Sequence, residues 1–523
     1  MLLSPAVLVS AISVSAIILI YKFLIYPAFI SPLSKIPAPH WSCHIAPFWL
    51  WWAKYHHHEN FLVQQNHLAR GEALRLAPGL LSLNGYERAL KPVYLGGFPK
   101  TDFYTRGFII YNTPNIFTFE DNSAHSSRKR MVSNTFSKSF VLSSATAHSS
   151  LQDVLFGRLL PKILHAAQTG QPLEMLELSY SYSMDSFVQW QFGKRIGSNL
   201  LENVDERRLY LDGFFAGAPY VLWQYEPPLV NRFLKSIGLI PAKVDAGFRD
   251  IEDWNLQKCD SAYQLLKSGE KLNDAETPVV FARAAEVMGN MKPDDKQDSY
   301  HNRLEIASDM FIHNSAAHET SGNTLAYIYY ELSRHPDVQV KLRQELLTLH
   351  PQLKFPQPPG EQLQLPPAKE VDNLSYLEAV IMETLRLYPS VPGGQPRKVP
   401  RPCSLGGYDN IPAGTTVQCY AYALHRTPEI FPEPEIWNPD RWVNSSQEHL
   451  NQMRRYFWAF GSGGRMCIGN NFAWFSMKHA VGSVYTNFIS SIHDHGDMTL
   501  VDSYLAGPKG HRVEIKFKQV QDM

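Results

Sequence analysis

From Leu2 to Ile20 the chain carries no charged side chain, and after Lys22 the apolar character resumes from Phe23 to Ile30. An α-helix rises about 1.5 Å per residue, so this stretch predicts one helix able to span a bilayer core. A cleaved secretory signal peptide is the alternative, but it would carry a basic leading segment and a small-residue cleavage site. Here Lys22, Lys35 and Lys54 all follow the apolar run, which favours an uncleaved anchor with the bulk of the chain in the cytosol. Pro32, Pro37, Pro39 and Pro47 then punctuate a stretch ending in Phe48, Trp49, Trp51 and Trp52. Proline stiffens a linker and tryptophan favours the membrane interface, so residues 32–52 read as a hinge holding a globular part against lipid.

Beyond the hinge the apolar spacing alternates between short extended runs and long helical ones. Ala73 to Leu83 predicts a hairpin turning at Pro78-Gly79. Gly96 to Phe119 is irregular and rich in aromatics and glycine, as packed loop or substrate wall would be. A helix opens at His125 and runs toward Phe140, and helices continue from Leu151 to Gly193. Between Leu209 and Ile240, Phe214, Phe215, Tyr220, Trp223 and Tyr225 occur among glycines and prolines, so helix and loop alternate there. From Arg303 to Arg334 no proline occurs and apolar residues fall on nearly every face, which predicts a long buried helix. Leu374 to Tyr388 and Asn471 to Phe488 are also helical, Pro389 to Val399 turns into strand, and Arg512 to Phe517 is a last strand. The class is therefore mainly α with small β-sheets (α+β).

Composition narrows the partners. The 49 basic and 49 acidic residues balance, giving no reason to expect nucleic acid. Five cysteines, Cys43, Cys259, Cys403, Cys419 and Cys467, are too scattered and odd in number for a disulfide framework or a metal site of paired thiols. His56-His57-His58 reads as a solvated run, because adjacent side chains on a helix do not share a face.

One of those thiols stands in the loop Phe460-Gly461-Ser462-Gly463-Gly464-Arg465-Met466-Cys467-Ile468-Gly469. A thiolate is a strong ligand for iron, and glycines let a flat cofactor approach the backbone. The pattern F-x-x-G-x-R-x-C-x-G is complete, and it resembles the haem-binding loop of the cytochrome P450 family. That resemblance implies Cys467 as the axial ligand of haem b, with Phe460 and Arg465 also at the cofactor. It implies a cytochrome P450 fold for residues 53–523, preceded by the anchor (1–31) and the hinge (32–52).

Further motifs follow in family order. In the helix at His125, the family has an aromatic residue and a cation four positions apart that bind a haem propionate; His125 and Lys129 take those positions. His125 and one or two of Arg128, Lys129 and Arg130 are expected at a propionate, as is Arg397. Ala316-Ala317-His318-Glu319-Thr320 resembles the (A/G)-G-x-(D/E)-T motif, in which small residues leave room for dioxygen and the acid-alcohol pair relays protons. Glu319 and Thr320 are therefore the expected catalytic residues; the residue-level alternative is a helix threonine bonding back to a carbonyl. Glu383 and Arg386, three apart, would ordinarily form a surface pair, but the family buries this E-x-x-R pair and joins it to a later arginine, here Arg441.

The resemblance implies a monooxygenase that oxidises a hydrophobic small molecule with dioxygen, taking electrons from NADPH through a separate NADPH-cytochrome P450 reductase. Arg128, Arg130, Arg454 and Arg455 are candidate docking charges. Localisation follows as single-pass in the endoplasmic reticulum membrane, in contact with lipid, with the catalytic part cytosolic. Ile36-Pro37-Ala38-Pro39-His40-Trp41 and Ser133 to Ser139 resemble filamentous-fungal members of secondary metabolism. Rival readings are a haem-thiolate isomerase or dehydratase that does not use dioxygen, which the intact Glu319-Thr320 disfavours, and a haem sensor or carrier.

Overall fold

The computed structural model describes residues 5–220, 222, 228–289, 296–357, 360 and 362–520. Its axis is a helix of 39 residues, Lys296–Arg334, longer at its start than the sequence pattern predicts. This helix lies along Met175–Phe192 and also touches Ser375–Leu387 and Asn470–Asn487. All three neighbours are buried over most of their length, because their sequences place apolar or small residues on nearly every face. Trp190 stacks on Phe472 with ring centroids 4.6 Å apart, one of the contacts that lock these helices together.

The β-structure is peripheral and small. Ala73–Ala77 and Leu80–Leu83 form the expected hairpin, extended by Thr416–Gln418 and then Arg397–Lys398 into a four-stranded sheet. Leu173–Glu174, Glu514–Gln519 and Phe488–Asp494 make a three-stranded sheet, and Cys403–Leu405 pairs with Tyr408–Ile411. Fold class and the single apolar helix match the sequence reading: Pro5–Ile20 continues through Tyr21–Ile30, and the span Val9–Ile30 is long and apolar enough to cross a membrane.

Residues 32–52 are packed onto the domain. Leu33 and Ile36 join a core cluster with Val399 and Trp458, while Leu50 packs beside Leu74 and Tyr420. Trp41, Phe48 and Trp52 remain outside, each more than half exposed. Arg75, fully buried, donates to the Pro27 carbonyl at 2.8 Å and the Pro78 carbonyl at 2.9 Å, tying the end of the apolar helix to the hairpin turn. Of the aromatics noted between 209 and 240, Trp223 and Tyr225 lie outside the described residues; Phe214 and Phe215 end the helix Val204–Phe215.

Candidate active site

A cavity of about 1870 Å³ runs between the cysteine loop and the long helix. Cys467 lines it, and its accessible surface is turned to the cavity. Its loop is held by backbone: the Cys467 N–H donates to the Phe460 carbonyl at 2.9 Å, and the Met466 N–H to Gly463 at 3.1 Å. Gly463 has φ +68°, and a Cβ there would stand 2.2 Å from the Tyr94 carbonyl oxygen, so glycine is required by both conformation and space. Burial pushes the Cys467 thiol up; the backbone amides of Gly469 and Asn470 and the Lys129 ammonium oppose that. Those amides open the helix Asn470–Asn487, whose positive end favours the thiolate form.

On the long helix, Ala316, Ala317, Glu319 and Thr320 all line the same cavity. The Thr320 hydroxyl donates to the Ala316 carbonyl at 2.8 Å, the back-bonded arrangement that sequence alone left open. Among the described residues no hydrogen bond or ion pair reaches the Glu319 carboxyl, and burial raises it from the usual 4.5 to about 7. It is poised to hold a proton near neutral pH. His318, between them in sequence, turns away into rings of Tyr210, Phe214 and Phe215, and burial holds it at about 4.

The cations sort differently from the sequence expectation. Arg128 is buried against Glu305 and Asp309, ion-paired to both, and does not line the cavity. Arg130 is exposed, and its hydrogen bond goes to Ser127 at 3.4 Å. The helix Asn122–Val132 turns about 100° per residue, so only His125 and Lys129 share the cavity face. Lys129 donates to the carbonyls of Gly464 at 3.1 Å and Met466 at 3.0 Å. Arg465 lines the cavity and donates to the carbonyls of Phe119, Glu120 and Asp121, clamping the cysteine loop to the start of that helix. Arg397 stands just behind, donating to the Tyr104 hydroxyl at 2.7 Å. Phe460 lines the cavity with its ring near Trp474.

Lys100 completes the group and was not singled out from sequence. It is 5% exposed, donates to the Phe117 carbonyl at 2.6 Å, and sits over the rings of Tyr104 and Phe117. A lysine in an otherwise aromatic, glycine-rich segment was the available signal. Among the described residues none of Lys100, His125, Lys129, Arg397 and Arg465 pairs with a carboxylate. Burial, with Arg397 and Arg465 nearby, pushes Lys100 well below its usual range. Burial and the cations Arg465, Lys100, Lys129 and Arg397 push His125 to about 3. Uncompensated positive charge in a low-dielectric site is costly. The two propionates of a haem would supply the missing negative charge, and Cys467 the metal ligand, so the residues present fit that group.

Behind the cavity, Glu383 and Arg386 are both fully buried. Glu383 accepts from Arg386 at 2.8 and 2.9 Å, Arg441 at 3.0 Å, the Trp442 indole at 2.9 Å and the Asn438 N–H at 2.9 Å. Arg386 also donates to the carbonyls of His425, Pro434 and Ile436. His425 in turn accepts from the Trp458 N–H at 2.7 Å, so the charged triad fixes the segment entering the cysteine loop.

A family model described as Cytochrome P450 matches residues 89–513. The chain is 28% identical over 338 residues to Cytochrome P450 3A12 of Canis lupus familiaris, covering 63% of this chain and 61% of that protein. It is 29% identical over 347 residues to Cytochrome P450 3A6 of Oryctolagus cuniculus, covering 64% and 62%. Lithocholate 6-beta-hydroxylase of Mesocricetus auratus is 29% identical over 340 residues, with coverages of 63% and 61%. The matched stretch thus spans less than two thirds of these relatives' length. The family match encloses Lys100, the proton-holding Glu319, the buried triad and Cys467, and on that match the chain belongs to the cytochrome P450 family.

Proposed function

We propose that this chain is a membrane-anchored haem-thiolate monooxygenase acting on a hydrophobic small molecule. The observation that carries the reading is that Cys467 and Glu319 face one cavity from opposite elements, with a cation cluster at its edge that has no acidic partner among the described residues. Cys467 would hold haem b, and Lys100, His125, Lys129, Arg397 and Arg465 its propionates. When bound, that group supplies dioxygen binding and reductive activation.

The chain's own residues contribute orientation, protons and dryness. Glu319 keeps a proton on its carboxyl up to about pH 7 and releases it into the groove beside Ala316. The Thr320 hydroxyl, now turned to the Ala316 carbonyl, passes a proton when it rotates toward the cavity. Phe103, Phe108 and Phe117 wall the cavity with apolar surface that excludes water and favours an apolar substrate.

The name of the relative lithocholate 6-beta-hydroxylase supports hydroxylation as the reaction class. Electrons would come from NADPH through a separate reductase docking on the cysteine side, with exposed Arg130, Arg454 and Arg455 as candidate contacts. Arg128, occupied by Glu305 and Asp309, drops out of that set. The apolar span and the exposed Trp41, Phe48 and Trp52 support anchoring to the endoplasmic reticulum with the domain cytosolic. The two proline and serine motifs at 36–41 and 133–139 support a role in fungal secondary metabolism. Reconstitution with the reductase, NADPH and isotopically labelled dioxygen tests the reaction. Label in the oxidised product is expected, and turnover of a substrate without label would indicate the isomerase or dehydratase alternative. Comparing metabolites of a deletion strain with its parent identifies the substrate.

A further inference from the structure

The loop from Val501 to Leu505 lines one side of the cavity and is held from both sides by residues distant in sequence. On one side, the Asp502 carboxylate accepts from the backbone N–H of Asn60 at 2.8 Å and of Phe61 at 2.9 Å. These are free amides of the first turn of the helix Glu59–Arg70, whose N-cap, His58, makes no side-chain capping bond. The Asn60 side chain returns a bond to the Ser503 carbonyl at 2.9 Å. On the other side, Gly393 lies so close that a Cβ there would stand 2.7 Å from the Tyr504 Cα and 3.1 Å from the Ser503 oxygen. Between these supports the Tyr504 ring meets Phe103 at 5.0 Å and Phe108 at 6.0 Å, and all three rings line the cavity.

We infer that Asp502 is a positioning residue that sets ligand selectivity by holding Tyr504 against the Phe103–Phe108 wall. The inference rests on the haem-thiolate reading of the cavity. Capping a helix requires only a local Ser, Thr, Asp or Asn at the N-cap; here the cap comes from the far end of the chain, two residues before the ring that completes the wall. Loss of the carboxylate leaves the Asn60–Ser503 bond to hold the loop on that side, and loosens the ring contact with it. A wide aromatic ligand then loses one edge-to-face partner, while a small ligand that does not reach the wall loses nothing.

The full-length haem protein in detergent micelles, titrated by its Soret shift, tests this. Imidazole serves as the small probe and a biphenyl-substituted imidazole as the wide one. Asp502→Ala is expected to change the affinity for the wide probe by about threefold to tenfold, the worth of one ring contact, and that for imidazole by less than about twofold. Asp502→Asn, which keeps an acceptor oxygen, is expected to restore most of the difference. Tyr504→Ala is expected to reproduce the effect, and the double variant to be no worse than either single one. Gly393→Ala, which pushes the loop from the opposite side, is expected to shift the wide probe in the same selective way. Independent effects that multiply in the double variant would overturn the inference. So would unchanged probe affinities accompanied only by a lower unfolding temperature, which would make Asp502 a helix cap alone. A wild type with no thiolate-type Soret band would instead overturn the haem reading, and this inference with it.

Discussion

Glu319 carries the sharpest pH expectation, because burial raises its carboxyl from 4.5 to about 7 with no partner among the described residues to compensate. Between those values the folded protein retains a proton that the unfolded chain has released, so stability falls as pH rises from 4.5 to about 7 and levels off above. Glu319→Gln mimics the protonated form; thermal midpoints measured across that window should show wild type losing ground to the variant, by no more than about 3 kcal/mol. In turnover, coupling of NADPH to product should fall above about pH 7 in wild type and be low and flat with pH in Glu319→Gln. Thr320→Ala should likewise consume NADPH with less product; normal coupling would remove it from proton delivery. The cations give a second residue-level test. Lys100→Met and Lys129→Met should lose haem about tenfold faster than wild type, the effect of one charge-assisted bond. Arg130→Met should not change that rate, because its side chain faces solvent. A pigment assay of haem per chain over time decides this.

At the scale of elements, the buried triad predicts an asymmetry. Arg386→Leu takes two bonds from the fully buried Glu383, leaving it Arg441, Trp442 and the Asn438 amide, and also strips the donor from the carbonyls of His425, Pro434 and Ile436; this costs about 3–5 kcal/mol and should abolish recovery of haem-loaded protein. Arg441→Ala leaves Glu383 with Arg386, Trp442 and the Asn438 amide, and should give folded protein of lower unfolding temperature. These elements also show what was legible in sequence. The cysteine loop, the Glu383–Arg386 pair, the Pro78-Gly79 hairpin and the long proline-free helix were visible, since each is specified by residues within a few positions of one another. Which of Arg128, Lys129 and Arg130 faces the cavity was not legible, because three consecutive cations look alike until the helix phase is fixed by packing. Lys100 was missed because its setting is assembled from Phe117, Tyr104, Arg397 and Arg465, which only the fold brings together.

At the scale of the molecule, the apolar span and the domain meet at Arg75, whose bonds reach both Pro27 and Pro78. A chain lacking residues 1–31 loses the first bond and keeps the second. It should still take up haem and should unfold about 1 kcal/mol more easily, as denaturant titration would show. Orientation across the membrane is open to a direct check, because Asn373 and Asn444 stand exposed in the sequons Asn373-Leu374-Ser375 and Asn444-Ser445-Ser446. A cytosolic domain should carry no glycan at either; a mobility shift reversed by glycosidase would place the domain in the lumen.

The measurement closest to the central claim is the carbon monoxide difference spectrum of the reduced protein, recorded for wild type and Cys467→Ala. A thiolate-type Soret band in wild type that disappears in the variant is the predicted result. The same band persisting without Cys467 would contradict the account.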